Sequence, residues 1–195
     1  MTHIEEVKEI RRRLRRKLSD SRYEHTLSVA FTCICLAMRY GYPPEKAEIA
    51  GLLHDCAKGW TDEEIVRQCE KHHLPITKAE YLAPAVLHAK LGAWLAEHRY
   101  GIEDPEILSA IACHTTGKPD MQLLDKILYI ADYIEIRRDK ASNLPAMRNL
   151  AFSDPDECLY QILAGTLDYL QQKGVPVDPM TQTTFDWVSE HRKDK

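Results

Sequence analysis

The sequence predicts an all-α fold, and three features carry that prediction. Apolar residues recur three and four positions apart in segment after segment. Cap and stop chemistry punctuates the segments, with Asp104-Pro105 and Asp154-Pro155 opening helices and Gly101 and Gly174 closing them. Nowhere do β-branched residues alternate with polar ones over the length of a strand. A chain of 195 residues that is 44% hydrophobic can bury one good core. One domain over 1–195 is therefore expected, with its core over about 19–140 and C-terminal helices over about 154–190 packed on it.

The elements follow in order. Apolar residues at 4, 7, 10, 14 and 18 predict a first helix from Ile4 to Leu18, after which Ser19-Asp20-Ser21 stops one helix and caps the next. The second runs to about Tyr40, and its stripe of His25, Val29, Thr32 and Leu36 predicts that His25 points inward. Gly41-Tyr42-Pro43 breaks the chain. Pro44 opens a third helix in which Ala47, Gly51 and His54 share a face, and the small residues there permit another helix to come close. Thr61-Asp62-Glu63-Glu64 has the form of a capping box and starts a helix to about His73, with His72 and His73 expected as exposed end residues. Thr77 is expected to cap a short turn. Pro84 introduces a helix over Ala85–Tyr100 with Leu87, His88, Leu91 and Leu95 inward, and the next starts at Asp104 and ends at His114. Pro119 to Arg137 reads as the strongest helix, with Leu124, Leu128, Asp132 and Glu135 on one face. Pro145 interrupts the following segment; a helix from Asp154 then runs to Lys173, and a last one from Pro179 to about Glu190 docks by Phe185 and Trp187.

Composition limits the partners. Lys and Arg total 26 against 30 Asp and Glu, a net charge of -4, so no global basic field favours a stable nucleic-acid partner. The basic run Arg11-Arg12-Arg13 and Arg15-Arg16-Lys17 reads as a solvated helix face. The N-terminus lacks the apolar core of a signal peptide, and no stretch reaches the ~18–20 uncharged apolar residues of a membrane span, so a cytoplasmic location away from membranes is expected. The six cysteines (33, 35, 56, 69, 113 and 158) form no Cys-x-x-Cys pair and are expected as buried, reduced thiols inside helices.

Chemistry concentrates first in Gly51–Trp60, where His54 and Asp55 stand behind an apolar run. Helix neighbours point about 100° apart, so both face one site only if it wraps around the helix end and draws ligands from other segments. Histidine with carboxylate suits hydrolytic metals such as zinc, manganese or iron, and Lys58, one turn on, is placed to hold an anion. Alone, the pair reads better as a helix end with a hydrogen-bonded core histidine than as a metal site. Six polar residues, however, interrupt apolar helical faces: His25, His54, Asp55, His88, His114 and Asp132, on five expected helices. A buried, unpaired carboxylate such as Asp132 demands a partner.

The ordered set His25, His54-Asp55 and Asp132 resembles the ligand pattern of the HD-domain metal-dependent phosphohydrolases. The segments Arg22-Tyr23-Glu24-His25-Thr26, Ala50 to Lys58, Leu87-His88, His114-Thr115-Thr116-Gly117 and Ile130 to Glu135 narrow it. Together they resemble the YqeK family, the bacterial symmetrical diadenosine-tetraphosphate hydrolases, over nearly the whole chain. The resemblance implies an iron-bearing, two-metal site that splits dinucleoside polyphosphates into two ADP with a metal-activated water, manganese or zinc being the other metals considered. It implies that Asp55 bridges the ions, with His25, His54 and Asp132 on one and His88 and His114 on the other. Asp55 and Lys58 are the catalytic candidates. Nucleotide or phosphate contacts are expected from His25, Asp55, Cys56, Ala57, Lys58, His88, His114, Thr115, Asp132 and Arg138, and more weakly from Gly174 and Asp178. Arg138 reads equally as an exposed helix-end cation, and Thr115 as a helix cap. The chain departs from the family pattern at Ala89 and Ile136, and in the tail at Asp178-Pro179 and Asp186-Trp187. Capped RNA as a further substrate and a homodimer are compatible with the resemblance. The rivals are HD-type hydrolases of guanosine tetraphosphate or deoxynucleotides, which would not need His88 and His114, and a non-catalytic nucleotide sensor.

Overall fold

A computed structural model describes residues 2–192, and the described residues contain helices and no strand. The helices are α1 (His3–Arg15), α2 (Asp20–Tyr40), α3 (Pro44–Leu53), α4 (Asp62–Lys71), α5 (Lys78–Leu82), α6 (Leu87–Tyr100), α7 (Pro105–Cys113), α8 (Leu123–Ile134), α9 (Leu144–Ala151), α10 (Pro155–Lys173) and α11 (Pro179–His191). A short 3-10 turn over Pro84–Val86 precedes α6.

Local chemistry sets these boundaries. Thr2, Thr61 and Thr77 close capping boxes with Glu5, Glu64 and Glu80, which satisfies backbone donors that have no partner inside the helix. Gly41, Gly101 and Gly174 end α2, α6 and α10 in the left-handed conformation that glycine adopts without steric cost. Val7, Ile10 and Leu14 of α1 are buried, but Ile4 is 65% exposed, so the inward stripe begins a turn later than its periodicity predicts.

α2 and α3 cross closely because Gly51 faces Ala30: a Cβ on Gly51 would lie 2.6 Å from the Ala30 Cα. That approach sets the spacing between the helix that carries His25 and the one that ends at His54. α8 packs against α2, α7 and α10, with Leu124, Ile127, Leu128 and Ile130 wholly buried. α10 lies on α8, and α11 on α10. The buried apolar side chains form one contiguous cluster from Val7 to Val188.

Four expectations need correction. The helix expected over Pro119–Arg137 is only Leu123–Ile134, because Asp120 takes a positive φ of 53° and Glu135 leaves the helix with ψ 151°. Pro145 does not interrupt a helix; it occupies the first turn of α9, where its missing N–H costs nothing. Cys35 lies on the outer face of α2 and is exposed, unlike the other five cysteines. The tail helix docks chiefly through buried Thr181, Thr184 and Val188; Phe185 and Trp187 pack at the core margin, with Phe185 stacked on Tyr160 at 5.4 Å.

Candidate metal centre

The polar residues that interrupt the apolar faces converge where five helices meet. His25 sits in the second turn of α2, His54 caps the C-terminus of α3, Asp55 follows in the next turn, His88 is in the first turn of α6, His114 caps α7, and Asp132 is in the last turn of α8. All four histidines and Asp55 are buried, and Asp132 shows 24% of its side chain to the adjoining cavity.

One device orients three of the rings. His54 Nδ1 bonds the Gly51 carbonyl at 2.7 Å, His114 Nδ1 the Ile111 carbonyl at 2.7 Å, and His88 Nδ1 the Ala85 carbonyl, in each case three residues back. His25 Nδ1 instead meets Glu135 Oε1 at 3.0 Å. A ring nitrogen bonded to a backbone carbonyl must carry the proton, so in the neutral rings of His54, His88 and His114 Nε2 is a lone pair aimed inward. This is the outer hydrogen bonding expected of metal-binding histidines.

Asp55 is the hub. Its Oδ2 lies 3.5 Å from His54 Nε2 and 3.8 Å from His25 Nε2, while Oδ1 lies 3.2 Å from His88 Nε2 and 3.7 Å from His114 Nε2. Two groups able to hold a cation result, His25-His54-Asp55 and Asp55-His88-His114, and they share the carboxylate. Asp132 reaches the first with Oδ1 at 3.1 Å from His25 Nε2 and 4.0 Å from His54 Nε2.

The donor set fits metal. His25 Nε2 and His54 Nε2 are buried without a hydrogen-bond partner, and His88 Nε2 faces His114 Nε2 at 3.1 Å although both protons are committed at Nδ1. Electron pairs pointed at one another without a proton between them are stabilised by a cation. Four imidazoles and two carboxylates are borderline-to-hard ligands suited to zinc, iron or manganese.

Proton affinities differ across the centre. Burial opposes charge on Asp55, but His54, His114 and His88 outweigh it and hold its carboxyl well below the usual range. Burial likewise opposes charge on Asp132, where His25 and His54 prevail and lower its pKa. Burial pushes His88 down to about 4. His25 goes the other way: burial lowers its pKa, yet the Asp132 and Glu135 carboxylates beside its ring leave it raised.

A cavity of about 320 Å³ opens on the centre, lined among others by Arg22, Lys58, Thr115, Tyr133, Arg138 and Thr166. Arg138 reaches Asp132 Oδ1 at 2.9 Å, and Thr115 Oγ1 lies 3.3 Å from His88 Nε2. The Lys58 ammonium makes no direct hydrogen bond or ion pair among the described residues, and burial lowers its pKa. Cys56 and Ala57 turn their side chains into the core; the Cys56 thiol faces the Gly92 carbonyl at 3.5 Å, and burial raises its pKa to about 12. Gly174 and Asp178 are helix caps outside this cavity, and Asp178 borders a different one of about 670 Å³ that shares no lining residue with it.

Two participants were not assigned from the sequence. Arg22 donates to Asp55 Oδ2 at 2.7 Å, and Glu135 orients His25. The available signal was position: Arg22 stands one turn before His25, and Glu135 lies on the same expected stripe as Asp132.

The chain matches the HD-domain family over residues 22–137, which span the whole centre. It is 38% identical to a symmetrical bis(5'-nucleosyl)-tetraphosphatase of Bacillus subtilis (strain 168), over 90% of this chain and 93% of that protein. A protein of the same description from Staphylococcus aureus is 36% identical, over 88% of each. The crystal structure of a predicted HD superfamily hydrolase involved in NAD metabolism, from Clostridium acetobutylicum, superposes with a TM-score of 0.92 at 34% identity, covering 95% of this chain and 97% of that one. With its buried His-Asp centre, and alike to these relatives along almost its full length, the chain belongs to the HD-domain family, in the branch of the symmetrical bis(5'-nucleosyl)-tetraphosphatases.

Proposed function

We propose that the cavity over Asp55 is the active site of a metal-dependent hydrolase that cleaves diadenosine tetraphosphate and related dinucleoside polyphosphates symmetrically into nucleoside diphosphates. The carrying observation is the convergence of four inward-facing Nε2 atoms on the two oxygens of one buried carboxylate, beside a cavity lined by Arg22, Lys58 and Arg138. His25, His54, Asp55 and Asp132 would hold one ion and Asp55, His88 and His114 a second, with iron as the proposed metal. Such ions supply Lewis acidity toward phosphoryl oxygens and an acidified water.

The chain's own groups account for the rest. Asp55, held ionised by the surrounding imidazoles, presents one oxygen to each half of the centre. Lys58 carries the cation with no carboxylate partner in the cavity, so its charge is available to the non-bridging oxygens of the attacked phosphorus, where negative charge grows. Arg138 and Arg22 are fixed by Asp132 and Asp55 at the same wall, and the Thr115 hydroxyl can donate to a phosphate oxygen. Lys58 stands one turn beyond Asp55 and the other groups line the same cavity, so the short bound segment, one nucleoside diphosphate, fits better than a triphosphate. Attack at its terminal phosphorus leaves a second nucleoside diphosphate to depart.

Product analysis in oxygen-18 water tests this. Diadenosine tetraphosphate should yield ADP alone, with one label per pair of ADP molecules. AMP with ATP as products, or guanosine tetraphosphate or deoxynucleotides as much better substrates, would overturn it.

A further inference from the structure

We infer that the departing half of the substrate is held in a second groove, on the far side of Arg22 and Arg138 from the main cavity, with Arg137 as its principal cation. The inference rests on the reading above and adds to it where the second nucleoside diphosphate lies.

Volume raises the question. The main cavity, about 320 Å³, stands at the lower end of small-molecule sites, which run from about 300 to 1,000 Å³. The second half of a dinucleotide is therefore expected to extend beyond it. A second cavity of about 260 Å³ is lined by Ser21, Arg22, His25, Glu135, Arg137 and Arg138. Arg22 and Arg138 line both, so the boundary between the two cavities consists of guanidinium groups, each anchored on a carboxylate of the centre. A polyphosphate that passes over the metals from one cavity to the other runs between those two arginines.

The turn carrying Arg137 is built to present it. Glu135 is 2% exposed and spends both oxygens: Oε1 faces His25 Nδ1 at 3.0 Å, and Oε2 accepts the Arg137 backbone N–H at 2.7 Å. Arg148 donates to the carbonyls of Ile134, Glu135 and Arg138, fixing the same turn from below. The root of Arg137 is thus tied to the orientation of His25, while its exposed guanidinium has no hydrogen bond or ion pair among the described residues. A fixed backbone with a free cationic tip suits an anion that arrives and leaves. Its donors can engage phosphate oxygens in pairs.

Steady-state kinetics with diadenosine tetraphosphate, together with competitive inhibition by ADP, separates the two grooves. Arg137→Ala should raise KM for the dinucleotide about tenfold, the loss of one charge-assisted contact, while the ADP inhibition constant changes less than about twofold. Arg137→Glu should raise KM further, and Arg137→Lys should recover most of the loss. Thermal melting of each variant, expected to be unaltered for a side chain without partners, excludes misfolding as the cause. An unchanged KM, or KM and the ADP constant moving in parallel, overturns the second groove and leaves the functional reading standing. Failure of the unsubstituted protein to release ADP overturns that reading, and this inference with it.

Discussion

The two halves of the centre share Asp55 but are built differently. The half with His25 and His54 adds the Asp132 carboxylate directly and Glu135 behind His25, so acidic groups surround it. Among the described residues, the half with His88 and His114 has no carboxylate beyond Asp55, and both of its rings are oriented by backbone carbonyls. Charge affects the affinity of a divalent cation more than ligand count does, so the first half should hold metal more tightly and the second exchange it more readily. On the proposed two-ion reading, one centre would contain a resident position and a responsive one.

The sharpest way to break this comparison is to remove what the halves share. Asp55→Ala should empty both positions and lower kcat/KM by about a thousandfold or more, at least 4 kcal/mol of transition-state stabilisation. Metal content and turnover on one preparation check it; activity within tenfold of the starting protein would refute the hub role. Next, the halves should separate. His88→Ala should leave about one ion per chain, whereas Asp132→Ala should weaken the tighter position, and graded chelation of the unsubstituted protein should remove the His88-His114 ion first. Equal loss of metal in both variants would erase the distinction.

Glu135→Gln should have a smaller, one-sided effect. It keeps the shape but removes the negative charge behind His25, and loss of such outer partners costs about 10- to 100-fold in metal affinity. Metal titration should show the loss at one position only. An effect of similar size is expected in the metal-free protein's response to pH. With His88 at about 4 against an ordinary 6.5, the unfolded chain binds the extra proton between those values. Stability should therefore fall by up to about 3 kcal/mol as pH drops from 6.5 to 4. His25, with a raised pKa, contributes in the opposite sense: its stabilisation is complete below pH 6.5 and is lost as pH rises through its folded value. Chemical unfolding of chelated protein should show the acid-side slope weakened in His88→Gln and retained in His25→Gln.

What the sequence discloses tracks how local its cause is. The capping box at Thr61, the cap at Thr77 and the proline starts at Pro105 and Pro155 depend on residues within four positions, and they stand where periodicity and cap chemistry put them. The six polar residues of the centre were legible because each breaks an apolar face. Roles set by distant partners were not: Arg22 meets Asp55 across 33 positions and Glu135 meets His25 across 110. Cys35 was misjudged because a cysteine on an outward face looks the same in sequence as one on the inward face. The early end of α8 coincides with a turn held by Glu135 on His25 and by Arg148 on three carbonyls, partners that only the assembled fold brings together.

The carbonyl three residues back that aims each of His54, His88 and His114 has a consequence for how such a centre persists through sequence change. Any amino acid supplies a backbone carbonyl, so substitution at position 85 or 111 leaves the aiming bond available provided the helix end keeps its shape, whereas Gly51 is held by its close approach to Ala30. Only His25 depends for its direction on a particular side chain elsewhere. Core residues around the centre can therefore drift widely while three of its four rings stay trained on one point. A designer wishing to move the site into another bundle would need to copy three helix ends and one glutamate, and little of what lies between.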